Sequence, residues 1–260
     1  MILTDIVIGT LNLMPDWQDE GIILSNKPYA ELHSVTTILT KSHGRHAGLV
    51  QAGQSSKRRS MLQPGSLVDA QWRARLDEQL GTFKLELAKN YSALMIDTPL
   101  RLSALSSMCS LLETSLPERE PQPALWQATT ALLQIVSLSK QDNEWLNFFV
   151  KWELGLLQEL GFALKLETCA VTGSSEELAY VSPKSGSAIS KPAAGIYADR
   201  LLVLPMCLGG HVKIDNEFAA GIKITGHFLR KNIYNPVDKQ LPSARQRWQI
   251  WWNLQIGNTT

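Results

Sequence analysis

Five short runs decide the fold: Gly21-Ile-Ile-Leu24, Ser34-Val-Thr-Thr-Ile-Leu-Thr40, Ala47-Gly-Leu-Val-Gln-Ala52, Leu67-Val-Asp-Ala-Gln-Trp-Arg-Ala-Arg75 and Thr82-Phe-Lys-Leu-Glu-Leu87. They are rich in the side chains that suit a pleated surface, and turn residues separate them at short spacing. Five strands so arranged fit a small barrel of the OB-like type, whose groove commonly receives single-stranded nucleic acid. A small SH3-like barrel gives the same pattern.

Beyond Asp97 the apolar period lengthens from two to three and four. Leu100 to Leu116, Leu125 to Leu138 and Trp145 to Leu160 read as helices, with Pro117, Pro121 and Pro123 breaking the first from the second. The segment 168–210 is irregular and rich in Gly, Ser and Pro, after which helical patterning returns from Glu217 to Tyr234 and from Ser243 to Leu254. The expected fold class is therefore α+β, an N-terminal OB-fold barrel followed by an all-helical domain. At 260 residues the chain exceeds the usual single domain. The division expected is an extension over 1–15, a barrel over 16–93 and a helical domain over 94–260 with its irregular insert. No internal repeat is visible.

The extension is apolar but carries Asp5 and lacks a basic leader, so it matches neither a signal peptide nor a membrane span. Met14, just before Pro15-Asp16-Trp17, offers an alternative start. Hydrophobic residues make up 44% and charged residues 19%, which excludes the disordered and collagenous classes. Cys109, Cys169 and Cys207 are odd in number and far apart, which argues against a disulfide framework and for a reducing, cytoplasmic setting.

A formal net charge of +1 hides an uneven distribution. From Lys41 to Arg75 there are seven basic residues, Lys41, Arg45, Lys57, Arg58, Arg59, Arg73 and Arg75, against the single acid Asp69. From Met1 to Thr40 the balance reverses, with Asp5, Asp16, Asp19, Glu20 and Glu31 against Lys27. The barrel is thus polarised, and one face should attract phosphate. The densest part, Gln54-Ser-Ser-Lys-Arg-Arg-Ser60, is a loop whose cations can follow a nucleic-acid backbone without reading its sequence. A solvated loop tip kept soluble by its charges is the alternative. Trp17, Tyr29 and Trp72 are available for base stacking, although Trp72 alternates with Arg73 and is read as core.

Other motifs fail on chemistry. Gly48-Leu-Val-Gln-Ala-Gly-Gln-Ser55 has P-loop glycine spacing, but Gln54 stands at the lysine position and a strand pattern runs through it. His43-Gly-Arg-His46 lacks a partner Cys/His pair, and a hairpin turn accounts for Gly44. Ser185 lacks the first glycine of a nucleophile elbow, and no His/Asp order around it suggests a triad. Glu176-Glu177 and Asp77-Glu78 are adjacent pairs whose side chains point apart. No enzyme chemistry and no cofactor are expected. Trp248, Trp251 and Trp252 lie at helical spacing and are read as packing residues.

From Trp17 onward the chain resembles the RecO family of bacterial recombination mediators. The resemblance rests on Trp17-Gln-Asp-Glu-Gly-Ile-Ile-Leu24, Thr40-Lys-Ser-His-Gly-Arg-His-Ala-Gly-Leu-Val50 and Leu62-Gln-Pro-Gly65 in order. In the helical part it rests on Trp152-Glu-Leu-Gly-Leu-Leu-Gln-Glu-Leu-Gly-Phe162 and Cys169-Ala-Val-Thr-Gly173. It implies an OB-fold, binding of single- and double-stranded DNA, and annealing of complementary strands. It also implies partners: the C-terminal tail of single-strand-binding protein, met in the helical domain, and RecR, with RecA loading as the indirect result. That tail is acidic with an apolar end, so a hydrophobic groove with a cation fits it, and Lys151 beside Trp152 is the candidate. Some family members carry a four-cysteine zinc ribbon. Here Cys169 is followed by Thr172 at the second ligand position, and no second Cys pair precedes Pro205, so a zinc-less remnant is expected with Cys169 as a packing residue. The rival reading is a protein-binding adaptor whose basic loop meets an acidic partner. An enzyme such as a nuclease is a third, without acidic clusters in the basic barrel to hold its metals.

Overall fold

In the computed structural model, residues 16–139 and 145–257 are described. The extension before residue 16, including Met14, lies outside them. The chain runs β1 (Asp16–Tyr29), β2 (His33–Thr40), β3 (Arg45–Val50), a single helical turn α1 (Ser56–Arg59), β4 (Ser66–Arg73) and β5 (Thr82–Asn90). The strands close in the order β1-β2-β3-β5-β4, antiparallel except where β3 meets β5. That closure is narrow, two parallel pairs, Leu49 with Thr82 and Val50 with Phe83. This is the OB-like barrel.

The apolar run at the centre of β1 explains how the barrel is seated. Gly21 through Leu24 are all buried because the strand is covered on both faces. Ile23 and Ile38 point into the barrel core with Val50, Val68, Trp72 and Phe83, whereas Ile22, Leu24 and Leu39 pack into the core of the helices. β4 alternates cleanly from Val68 on, with Val68, Ala70 and Trp72 in the barrel core and Asp69, Gln71 and Arg73 exposed, while Leu67 before them packs against the core of the helices.

The helical half comprises α2 (Tyr91–Leu94), α3 (Pro99–Ser115), α4 (Pro123–Leu138), α5 (Leu146–Glu159), α6 (Lys191–Ala194), α7 (Glu217–Leu229, continued by a π-turn to Tyr234) and α8 (Ser243–Gly257). α3 packs along α8 and α5 along α7. The break read at Pro117, Pro121 and Pro123 falls between α3, which ends at Ser115, and α4, which starts at Pro123; Pro99 and Pro123 each sit in a first helical turn, where a missing N–H costs nothing. The 168–210 segment carries β6 (Leu178–Val181), β7 (Ala188–Ser190) and β8 (Leu202–Val203), a three-stranded sheet in the order β7-β6-β8. Trp248 is fully buried, stacked on Trp145 at 5.6 Å, and Trp252 meets Phe218 at 4.7 Å, so both pack in the core. The Trp251 side chain lies outside the described residues. Among the described residues no helix is long and apolar enough to cross a membrane.

α3 also holds the barrel by polar contacts. Glu113 accepts from Ser25 Oγ at 2.7 Å and pairs with Lys27 Nζ at 2.6 Å, and Cys109 lies against the Ile23 carbonyl. Burial pushes the Cys109 thiol up to about 12, which makes it an inert packing group.

Candidate nucleic-acid interface

Strand register builds a groove on the barrel. Asp16, Arg73 and Thr82 are cross-strand neighbours on β1, β4 and β5, and Gln18, Gln71 and Lys84 form the next outward-facing row. Arg58 and Gln51, from the connection between β3 and β4, close one side. The resulting groove has a volume of about 650 Å³. A second depression of about 470 Å³ continues it, sharing Arg73 and Thr82 and adding Arg75, Tyr29 and Gln79. Arg58, Arg73 and Arg75 are thereby brought together, and Lys84 joins them from β5.

The remaining basic residues go elsewhere. Lys41 is exposed on the β2–β3 hairpin, outside both depressions. Arg59 is exposed on α1 and donates weakly to the Gln54 carbonyl at 3.4 Å. Lys57 shares that turn, but its side chain lies outside the described residues. Arg45 is half-buried and donates from Nε to the Leu116 carbonyl at 2.9 Å, so it ties the barrel to the helices. One row further along the same three strands, Glu20, Asp69 and Glu86 are paired across β1, β4 and β5 and all exposed. This carboxylate row bounds the cationic groove and would repel a phosphate backbone that strayed onto it.

Beneath the groove lies an aromatic floor. Trp72 is buried, as its alternation with Arg73 predicted, and donates from Nε1 to the Leu80 carbonyl at 3.0 Å. Trp17 is half-buried, sandwiched between His43 at 4.3 Å and Trp72 at 5.8 Å. His43 is itself paired with Asp19 at 3.2 Å, and Gly44 takes the left-handed conformation of a turn. His46 sits edge-on to Trp17 and Trp72 with neither ring nitrogen hydrogen-bonded.

Burial, with the nearby Arg119 and His43 charges, holds His46 down from 6.5 to about 4. Its imidazole therefore stays neutral in the folded protein while the unfolded chain takes up a proton near 6.5. The unfolded state binds more protons between those values, so stability falls as the pH drops from about 6.5 to about 4. The full loss is on the order of 3 kcal/mol at one proton and this shift. Urea unfolding at pH 7 and pH 4.5 measures it. His46→Phe is expected to flatten that part of the profile, and an unaltered slope would assign the acid sensitivity to other groups.

In the helical half, Lys151 is exposed on α5 and Trp152 is not. The Trp152 indole is buried and donates to Thr129 Oγ1 at 3.0 Å, so it supports the helix from within. Lys151 shares its face with exposed Phe148, three residues away, and lies near Cys207, next to exposed Met206. Cys169 is buried, and its Sγ accepts the Ser190 N–H at 3.2 Å. Burial opposes ionisation of this thiol, but donors from Ser190 and Thr172 outweigh it and bring it down to about 6. The sulfur is thus surrounded by hydroxyl and backbone donors, a set that does not fit tetrahedral zinc. Among the described residues no three His, Cys, Asp or Glu side chains are placed to hold a metal.

An OB-like barrel with a cation-lined groove, seated on a helical body, makes this a two-part α+β protein. Family models for Recombination protein O match it in two parts, the N-terminal model over residues 14–91 and the C-terminal model over 97–240. It is 46% identical over 236 residues to the DNA repair protein RecO of Rhodospirillum centenum, covering 90% of this chain and 93% of the relative. For the Cereibacter sphaeroides protein of the same name the identity is 44%, covering 90% and 97%. The Rhodospirillum rubrum one is 40% identical over 240 residues, covering 90% and 95%. The chain belongs to the RecO family of DNA repair proteins.

Proposed function

We propose that this protein is a non-enzymatic mediator of recombinational repair that binds single- and double-stranded DNA and anneals complementary strands. The convergence of Arg58, Arg73, Arg75 and Lys84 on one groove carries this reading. Cations along a groove neutralise phosphate while leaving base edges free, so two strands can approach and pair without nucleotide hydrolysis. The acidic tail of single-strand-binding protein docks on the helical half at the face of Phe148 and Lys151, where an exposed ring and a cation stand one turn apart. With RecR as a further partner, RecA then loads on the strand that has been opened.

The test is annealing of complementary oligonucleotides coated with single-strand-binding protein, with and without that protein's C-terminal tail. Tail-dependent annealing in the absence of ATP is expected. Tight binding of the tail without annealing would return the protein to the adaptor reading.

A further inference from the structure

The loop between α3 and α4 reaches across to the barrel, and Arg119 is its contact point. The Arg119 N–H donates to the Arg45 carbonyl at 2.8 Å, while Arg45 Nε donates back to Leu116. Its guanidinium donates to the Asp77 and Gln79 carbonyls and lies 5.5 Å above the Trp72 ring. Arg119 holds φ at 62°, a left-handed state that a long side chain seldom adopts and that persists only where surrounding contacts fix it. Gly44 lies so close to the loop that a Cβ there would be 2.1 Å from the Glu120 carbonyl oxygen, so the hairpin accepts the loop only as glycine.

What Arg119 grips is one wall of the groove. Residues 74–81 connect β4 to β5, and Arg75, Gln79 and Gly81 line the second depression beside Arg73. The exit of this connection is anchored within the barrel, through Trp72 to the Leu80 carbonyl and Leu49 to the Gly81 carbonyl. Its middle is held by the helical half, through the two carbonyls that Arg119 takes.

We propose that Arg119 is a positioning residue for DNA binding: a strut from the helical half that sets the β4–β5 connection, and with it Arg75, in the conformation that completes the groove. This rests on the DNA-binding reading above. The planar fork of the guanidinium lets one side chain reach both carbonyls while lying over the indole, whereas a lysine ammonium is a point charge without that fixed geometry.

The test uses the full chain and its Arg119→Ala and Arg119→Lys variants. Amide exchange over 74–81 is measured beside thymidine-oligonucleotide affinity and the melting temperature. Faster exchange in that peptide is expected in both variants, with affinity lower by about tenfold, the scale of one lost charge-assisted contact. Wild-type affinity in Arg119→Lys would mean that Arg119 touches phosphate directly and would overturn the strut. So would unchanged exchange over 74–81 in Arg119→Ala. The exchange readout needs no DNA, so a wild-type protein that bound no oligonucleotide would refute the DNA reading while exchange still judged the strut.

Discussion

Glu153→Ala is expected to lower the unfolding free energy by about 3–5 kcal/mol, the cost of breaking a buried ion pair by removing one partner. Glu153 on α5 and Arg245 on α8 are both fully buried. Arg245 donates from Nε to Glu153 Oε1, from Nη2 to Oε2 at 3.1 Å and to the Ile222 carbonyl at 3.1 Å. Thr225 on α7 donates its hydroxyl to the same carboxylate, and Gln249 accepts from Arg245 at 3.2 Å. Three helices therefore meet on one pair of charges, and alanine would leave a guanidinium in the core without its counter-charge. The double variant Glu153→Leu with Arg245→Met removes both charges and is expected to recover most of the loss, since apolar groups of similar volume often replace such pairs with little cost. Urea unfolding of the three proteins decides it. A single-variant loss under about 1 kcal/mol would mean that water reaches the pair.

That pair shows where reading the sequence stopped. Glu153 lies inside a motif that marks the family resemblance, but its partner is 92 residues away and nothing local joins them. The barrel strands and the long helices were legible because each has a hydrophobic period that repeats within its own length. The sheet of β6, β7 and β8 was not, because strands of four, three and two residues are too short to show alternation.

The candidate site was legible in its charge and less so in its geometry. Counting basic residues along 41–75 captured Arg58, Arg73 and Arg75 but passed over Lys84, which reaches the groove through β5 pairing. Alternation with Phe83 and Leu85 was the available signal. The same count included Arg45, whose carbonyl partner Leu116 lies 71 residues on and draws it to the helices. Lys151 and Trp152 were paired because they are adjacent, yet neighbours on a helix point about 100° apart and cannot share a surface. One is exposed and the other is core for that reason.

Reversing two groove charges gives the other large effect. Arg58→Glu with Arg73→Glu is expected to weaken single-stranded oligonucleotide binding by at least about a hundredfold at low salt and to flatten its salt dependence. Each phosphate contact contributes about 0.7 to the slope of log affinity against log salt on single strands, so losing two removes about 1.4. Arg73 already has Asp16 at 3.3 Å, but both side chains are largely exposed, so that pair competes little with phosphate. Glutamate at 73 would stand beside Asp16 and extend the carboxylate row of Glu20, Asp69 and Glu86 into the groove. Lys41→Glu carries the same sign of change on the same barrel but outside the groove, and it is expected to cost no more than about twofold, because an exposed charge that does not line the path is screened by solvent and salt. Salt titrations of the two variants separate a local path from a general cationic attraction. Equal losses in both would move the DNA off this groove and onto the barrel's charge as a whole.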